Sequence, residues 1–166
     1  MAILNSLITW RMKKRIHQIE LFLKFPNEVQ KDCLLSILEK AKNTEWGQRY
    51  KFEEIKSYEE FKNRVPLQDY ESLKQDIFRL RNGDKNIMWP SEIKWFAKSS
   101  GTTNDKSKFI PVSEESLYDC HYKGGKDMLS IFCNWMPNTQ VFTGKTITMG
   151  GSSQMNPNVK GSYTGD

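Results

Sequence analysis

The sequence predicts an α/β protein in which helices come first and a mixed-sheet segment follows. Apolar residues recur at spacings of three and four through the first half, which is typical of amphipathic helices. The stretch "EIKWFAK" alternates and is rich in β-forming residues, and "KFIPV" follows a short distance later. Between them lies a polar stretch, "SSGTTNDKS", that suits a loop. We therefore expect a helical region over residues 1–90 and an α/β segment over residues 91–166.

The first half predicts four helices. A first helix over residues 3–25 has an apolar stripe and should end before Pro26, where Asn27 can cap the next helix. "SYEEF" forms a capping box, and Asp69 can cap a helix that ends at Gly83. The stripe of the first helix comprises Ile8, Met12, Ile16, Ile19 and Leu23; the face of the second comprises Val29, Cys33, Leu34, Ile37, Leu38 and Ala41. "TEWGQRYKF" is expected to form a tight connection between helices, with Gly47 as a helix stop.

The second half predicts two short strands, a long helix, a strand–turn–strand segment and a loosely packed tail. The strands cover residues 93–98 and 108–112, and Pro111 limits the second to an edge or terminus. Ser113 can cap a helix whose predicted face comprises Leu117, Cys120, Met128, Ile131, Phe132 and Trp135. The paired glycines Gly124 and Gly125 inside it suggest close helix packing. "QVFTGKTITMGG" predicts strand, turn and strand, and the Gly-, Ser- and Asn-rich tail offers little to pack.

Composition excludes several classes of protein. The chain has 166 residues, enough for one domain with a core, and no apolar run long enough to span a bilayer. The net charge is +5, and residues 1–26 hold five basic residues against one acidic residue, so one helix is basic and the rest is balanced. A nucleic-acid partner is therefore not expected. Three unpaired cysteines, Cys33, Cys120 and Cys133, favour reduced thiols and a cytoplasmic location.

The polar loop has the chemistry of a phosphate site. Ser99, Ser100, Thr102 and Thr103 supply hydroxyl donors, and Gly101 permits close approach of the backbone. Lysines at positions 106 and 108 supply positive charge. A polar surface turn has the same composition, and residue chemistry alone leaves both interpretations open.

Rival motifs are absent from the sequence. The Walker pattern needs a glycine five positions before "GKT", and Thr139 stands there. Neither G-x-G-x-x-G nor G-x-S-x-G occurs. The two histidines, His17 and His121, have no obvious triad partner, and Cys120 beside His121 lacks a second pair at metal-ligand spacing.

"SSGTTNDKSKFIPVS" resembles the first ATP motif of the acyl-adenylate-forming superfamily. With "AKNTEWGQRYKF", "SYEEFKNRVPLQDYESL", "WPSEIKWFAKSSGTT" and "FTGKTITMGGSS", the chain more narrowly resembles the auxin-responsive-promoter family of acyl acid–amido synthetases, in its bacterial branch. It departs from the superfamily pattern in having residues 104–107 where a second glycine and a proline are usual. The resemblance covers almost the whole chain and implies the large N-terminal domain of an adenylate-forming enzyme, present as a fragment.

The resemblance implies a ligase that uses ATP and magnesium to join a carboxylic acid to an amine, expected to be that of an amino acid, through acyl-AMP. Ser99, Ser100, Gly101, Thr102, Thr103 and Lys108 would hold the β- and γ-phosphates, and Gly150, Gly151 and Ser152 are weaker candidates for the acyl-binding wall. The magnesium, adenine and ribose ligands are missing, so the fragment is expected to be inactive alone, with the remainder of its parent polypeptide as partner, and no residue is assigned as catalytic.

A non-catalytic alternative makes the basic amphipathic helix over residues 3–25 a contact for a partner protein or a membrane surface. Arg11, Lys14 and Arg15 would then make the contact. A protein core would use the same apolar stripe equally well, so the pattern does not distinguish these uses.

Overall fold

A computed structural model describes residues 2–99, 107–145, 147–156, 159 and 162–165. The α-helices are α1 (Ala2–Lys13), α2 (Ile16–Lys24), α3 (Pro26–Ala41), α4 (Glu45–Arg49), α5 (Tyr58–Arg64), α6 (Tyr70–Arg81), α7 (Glu114–Ser116) and α8 (Lys123–Trp135). A 3-10 turn lies at Phe52–Glu54, and a π-helix at Leu117–Tyr122 joins α7 to α8. The strands are β1 (Trp95–Lys98), β2 (Phe109–Val112), β3 (Ser153–Met155) and β4 (Tyr163–Gly165). The mixed α/β class predicted from the sequence is confirmed.

The chain divides into two compact units. Unit 1 comprises Met1–Val29 and Glu115–Gly150, and unit 2 comprises Gln30–Glu114 and Gly151–Asp166. In unit 1, α8 packs against α1 and α2. Unit 2 holds the sheet, in the order β2-β1-β4-β3.

The sheet of unit 2 is mixed, as expected. β1 pairs antiparallel with β2 and parallel with β4, and β3 pairs antiparallel with β4. β2 is an edge strand, which is where Pro111 costs no ladder hydrogen bond. The tail was expected to have little to pack, and this was wrong: β3 and β4 both come from it. Trp95 and Tyr163 are register partners whose rings stack at 4.7 Å between centroids, which adds packing across the parallel pair.

Two clusters form the core of unit 2. The first centres on Leu38, Ala41, Phe52 and Ile55; the second centres on Leu80, Ile87, Ile93 and Phe96. The second cluster places one face of β1 beneath α6, because Phe96 is 2% exposed and Leu80 is 4% exposed. This packing sets the position of α6 over the sheet.

The predicted caps at Asp69 and Ser57 are confirmed. The predicted cap at Asn27 was wrong, because α3 begins at Pro26 and Asn27 lies inside it. The Asp69 carboxylate accepts from the Ser72 N–H at 2.8 Å, and the Ser57 hydroxyl accepts from the Glu60 N–H at 3.2 Å. Glu60 accepts from the N–H of Lys56 rather than from that of Ser57. Gly83 follows α6 with φ +96°, a conformation that favours glycine.

Several boundaries differ from the expectation in the first half. The predicted first helix is two helices, α1 and α2, separated by a turn. Pro26 begins α3 rather than only ending the preceding pattern, because proline fits the first turn of a helix. Gly47 lies inside α4, whose cap is Thr44, rather than stopping a connection. Leu23 of the predicted stripe and Cys33 of the second face are exposed.

The second half also holds corrections. Most of the predicted face of the long helix is exposed in the described structure, and the buried residues of α8 are Ser130 and Cys133. The π-helix adds a residue to one turn, so apolar positions counted at 3.6 per turn rotate away from one another. A Cβ at Gly124 or Gly125 would meet nothing within 4 Å, so close packing does not explain this pair. The described residues of 140–151 form turns and coil rather than strands.

Candidate functional site

The two ends of the polar loop are fastened to each other. The Ser99 N–H donates to the Lys108 carbonyl at 2.9 Å, and the Lys108 N–H donates to the Ser99 hydroxyl at 3.3 Å. These bonds continue the ladder of β1 and β2 by one step beyond Lys98 and Phe109. Ser99 and Lys108, which flank most of the polar stretch, are therefore held directly beside each other.

The side chains at this point keep capacity for a ligand. The Ser99 hydroxyl accepts from Lys108, so its own hydrogen remains available for donation. The Lys108 ammonium lies 5.4 Å from the ring centroid of Tyr70 and forms no ion pair with a described residue. Hydroxyl and ammonium donors at one place suit an anion with several oxygens.

Tyr70, the first residue of α6, fixes the base of the loop. Its hydroxyl accepts from the Phe109 N–H at 3.0 Å. The ring of Phe109 in turn lies 3.6 Å from the Arg81 guanidinium. Because α6 contacts Phe109 through both its first and its last residue, the helix holds β2 where the loop ends.

Electrostatic contacts hold α6 itself in place. Arg79 of α6 binds Glu45 through two nitrogens at 2.7 and 2.8 Å and binds Asp84 at 3.0 Å. Hydrogen bonding by Arg79 lowers the pKa of Glu45 and in turn raises the pKa of Arg79. The Trp46 indole N–H also donates to Asp76 of α6 at 2.7 Å. These bonds attach α6 to α4 and to the turn that follows it.

Ser99 and Lys108 lie at the end of the sheet where several strands begin or end. β1 ends at Lys98 and its parallel neighbour β4 ends at Gly165, while β3 begins there beside Gly165. A Cβ at Gly165 would stand 2.3 Å from the Ser152 carbonyl oxygen, so only glycine permits this approach. The crevice beyond the carboxyl ends of parallel strands is a common place for ligands.

A groove of ≈ 1030 Å³ opens beside the base of the loop within unit 2. One stripe of α6 forms one wall, and the ends of β1 and β2 form the other. Its lining residues are Tyr70, Glu71, Lys74, Ile77, Phe78, Arg81, Lys98, Ser107, Lys108 and Phe109. The lining carries four cationic side chains and one carboxylate, so the groove favours an anion.

The predicted site residues divide into three groups. Ser99 and Lys108 are brought together, and Ser152 reaches the same edge of the sheet through β3. Gly151 directly precedes Ser152 in unit 2, whereas Gly150 belongs to unit 1, and a Cβ at Gly150 would meet nothing within 4 Å. Ser100, Gly101, Thr102 and Thr103, with Lys106, lie outside the described residues.

The sequence analysis did not identify Tyr70, Arg81 and Lys98 as candidate site residues. Lys98 directly precedes the loop, and a basic residue at that position is a sequence feature that favours a role in phosphate binding. Tyr70 and Arg81 have no such sequence feature, because they are separated from Phe109 along the chain and only the packing of α6 on β2 joins them.

The described residues hold neither a metal-ligand cluster nor a membrane span. Within the described part of the chain, no three His, Cys, Asp or Glu side chains gather as metal ligands. No described helix has both the length and the apolarity to cross a bilayer. Cys33 and Cys120 are exposed free thiols, and Cys133 is a buried one.

The fold matches a solved enzyme structure. It superposes on the GH3.15 acyl acid amido synthetase with a TM-score of 0.75 and 21% identity, over 92% of this chain and 27% of that one. At this identity the likeness establishes the fold alone.

The family follows from the sequence comparisons. The model of the GH3 family N-terminal domain matches residues 15–164, and the chain belongs to this family. Indole-3-acetic acid-amido synthetase GH3.4 of Arabidopsis thaliana is 36% identical over 105 residues, which are 63% of this chain and 18% of that protein. Jasmonoyl–L-amino acid synthetase JAR4 of Nicotiana attenuata is 33% identical over 103 residues, 61% of this chain and 18% of that protein. The chain thus spans less than a fifth of the length of these relatives.

Proposed function

We propose that this chain is the phosphate-binding part of an ATP-dependent acyl acid–amido synthetase. Family membership supports an enzyme that joins a carboxylic acid to an amino acid, which is the activity that the names of its relatives describe. The observation that carries the phosphate assignment is the fastening of Ser99 to Lys108 at the edge of the sheet. Because Ser99 and Lys108 are held together, we propose that the polar residues between them bind phosphate through backbone N–H and hydroxyl groups.

In the proposed reaction, the carboxylate of the acid attacks the α-phosphorus of ATP, an acyl-adenylate forms and pyrophosphate leaves. An amine then displaces AMP to give the amide. The role of this chain is to bind the β- and γ-phosphates and to stabilise the charge of the leaving pyrophosphate. Ser99, Ser100, Gly101, Thr102 and Thr103 supply the loop, and Lys108 supplies the cation. Gly150, Gly151 and Ser152 stay weaker candidates for the acyl-binding wall.

Magnesium fits this part of the enzyme less well than phosphate does. The donors at the base of the loop are hydroxyl, backbone N–H and ammonium groups, whereas magnesium prefers oxygen ligands of carboxylates and phosphates. The carboxylate that lines the groove, Glu71, is paired with Lys74 at 3.0 Å. We therefore propose that the remainder of the parent polypeptide supplies the magnesium ligands.

The domain organisation and cellular location that we propose rest on the sequence analysis. We propose a helical region over residues 1–90, an α/β segment over residues 91–166, and a cytoplasmic enzyme that takes a small carboxylic acid and an amine. The proposed bacterial branch rests on sequence resemblance alone. The alternative of a partner or membrane contact through residues 3–25 finds no support, since Arg15 binds Asp127 at 2.6 Å and Lys14 lies over the Trp10 ring.

The test is carboxylate-dependent ATP–pyrophosphate exchange by a full-length amido synthetase that carries this segment in place of its own. We expect exchange by the chimera and a loss of at least about tenfold in both Ser100→Ala and Lys108→Ala, because each removes a phosphate contact. Lys94→Gln, which removes a lysine at the start of the "KWFAK" stretch, serves as the control. Unchanged exchange in both loop variants of a folded, active chimera contradicts the assignment. The isolated 166-residue chain should show no exchange.

A further inference from the structure

The groove beside the loop carries positive charge that the proposed loop site does not use. Lys98 is exposed at the end of β1 and forms no ion pair with a described residue. It points to the same face of the sheet as Phe96, the face that α6 covers, because side chains alternate along a strand. Its register partner Phe109 points to that face too. Lys98 therefore stands on the groove side of the sheet, one residue before the loop.

Arg81 brings a second unused donor set to the groove. Its Nε is buried and has no hydrogen-bond partner among the described residues. The guanidinium lies 3.6 Å from the centroid of the Phe109 ring, which fixes the plane of the group. A guanidinium held by a ring, with an unpaired N–H, is a ready partner for two oxygens of one phosphate.

The remaining charges leave the groove cationic. Lys74 is paired with Glu71, so these two side chains largely offset each other. Arg81, Lys98 and Lys108 are then left without a described carboxylate partner. Three cations around one groove exceed what a monocarboxylate needs and suit an anion of higher charge.

We propose that Lys98 and Arg81 extend the phosphate site of the loop into the groove, so that an inorganic polyphosphate group binds between the loop base and α6. This rests on the proposed function and deepens it: the groove takes the terminal phosphates of the nucleotide and the pyrophosphate that leaves. The volume of ≈ 1030 Å³ is ample for pyrophosphate or tripolyphosphate. Lys98 and Arg81 then act as binding residues for the leaving group in addition to Lys108.

Pyrophosphate and tripolyphosphate are suitable probes, because neither needs the adenine or ribose contacts of a complete enzyme. Isothermal titration calorimetry of the 166-residue chain should show binding of both at low salt. Lys98→Gln should weaken it at least about fivefold, the loss expected for a charge-assisted hydrogen bond. Lys94→Gln, an equal change of charge before the start of β1, should weaken it less than about twofold. Arg81→Lys keeps the charge and loses the planar fork, and it should weaken binding like Lys98→Gln.

Three outcomes overturn the inference. One is tight binding of pyrophosphate that Lys108→Ala abolishes while Lys98→Gln and Arg81→Lys leave it unchanged, which means that the loop acts alone. Another is that the chain binds an aromatic monocarboxylate, with a dependence on Lys98, but does not bind pyrophosphate. The groove would then be a carboxylate site. The third is no pyrophosphate binding by a chain whose circular dichroism shows it folded. Exchange by the chimera is measured separately, so it shows whether the proposed function fails as well.

Discussion

The two units of this chain use apolar residues in opposite ways. Nine of the ten described apolar residues that are buried lie in unit 2, and Cys133 is the one in unit 1. Unit 1 instead exposes large side chains along its helices, among them Trp10, Met128, Ile131 and Trp135. An amphipathic pattern therefore predicts a helix in both units, but only in unit 2 does it predict a core.

The candidate site lies in unit 2, the unit that holds most of the buried apolar residues. The base of the loop is held by β1, β2 and α6, and α6 is held by the core and by Arg79. A binding loop gains precision from a rigid base, because its donors lose little freedom when a ligand arrives. If burial sets stability, truncation of an apolar side chain should cost more in unit 2 than in unit 1.

The largest effect is expected from truncating the core of unit 2. Phe96→Ala should lower the free energy of unfolding by about 3–5 kcal/mol, since it leaves a cavity among Leu80, Ile87 and Ile93. Ile131→Ala in unit 1 should stay within about 1 kcal/mol, because Ile131 is 52% exposed. Urea denaturation followed by circular dichroism measures both. Equal losses would mean that the apolar face of α8 is buried in solution and that the two units do not differ.

A second comparison inserts the same methyl group into each unit. A Cβ at Gly47 would lie 2.1 Å from the Ala41 carbonyl oxygen and 2.5 Å from that of Lys42, so Gly47→Ala should cost about 2–3 kcal/mol. Gly124→Ala, in the open surface of α8, should instead stabilise by about 0.5–1 kcal/mol through helix propensity. Thermal denaturation of the two variants should give opposite shifts. Destabilisation by Gly124→Ala would show that a surface of the protein does pack there.

The sequence predicted those features that depend on residues close together along the chain. The cap at Asp69, the C-terminal glycine of α6 and the edge position of β2 each depend on residues close together in the chain, and each was predicted. Gly47 shows the limit of local reasoning: glycine is required there by a carbonyl of the preceding helix rather than by a helix stop.

The parts that were missed depend on distant pairing. β3 and β4 consist only of "SQM" and "YTG", which lack a β-rich run, and they become strands because β1 offers an edge for β4 to pair with. The groove likewise exists only after Tyr70 and Arg81 meet Phe109. For the candidate site, the sequence therefore predicted a polar loop with a lysine and the helix α6 itself, but not the packing of α6 against β2.

The smallest effect is expected at the ion pair that joins the start of α2 to α8 within unit 1. Arg15 binds both oxygens of Asp127, at 2.6 and 3.0 Å, and hydrogen bonding by Arg15 lowers the pKa of Asp127 below its ordinary range. Asp127→Asn should cost about 1 kcal/mol at pH 7, near the upper end for a partly exposed pair. Asp119→Asn, which breaks the exposed pair with Lys123, should cost less than about 0.5 kcal/mol.

The pH dependence identifies the pair as the cause. A carboxylate with a lowered folded-state pKa stabilises the fold fully above its unfolded pKa, about 3.9, and this stabilisation is lost as pH falls through the lower folded value. The difference in stability between the native chain and Asp127→Asn should therefore be constant from about pH 7 to pH 5 and shrink below about pH 4. The midpoints of urea denaturation, measured for both proteins across this pH range, give this difference. A difference that persists undiminished as pH falls from about 4 to about 2, well below the unfolded pKa, would mean that the amide substitution disturbs packing in unit 1 rather than removing a charge.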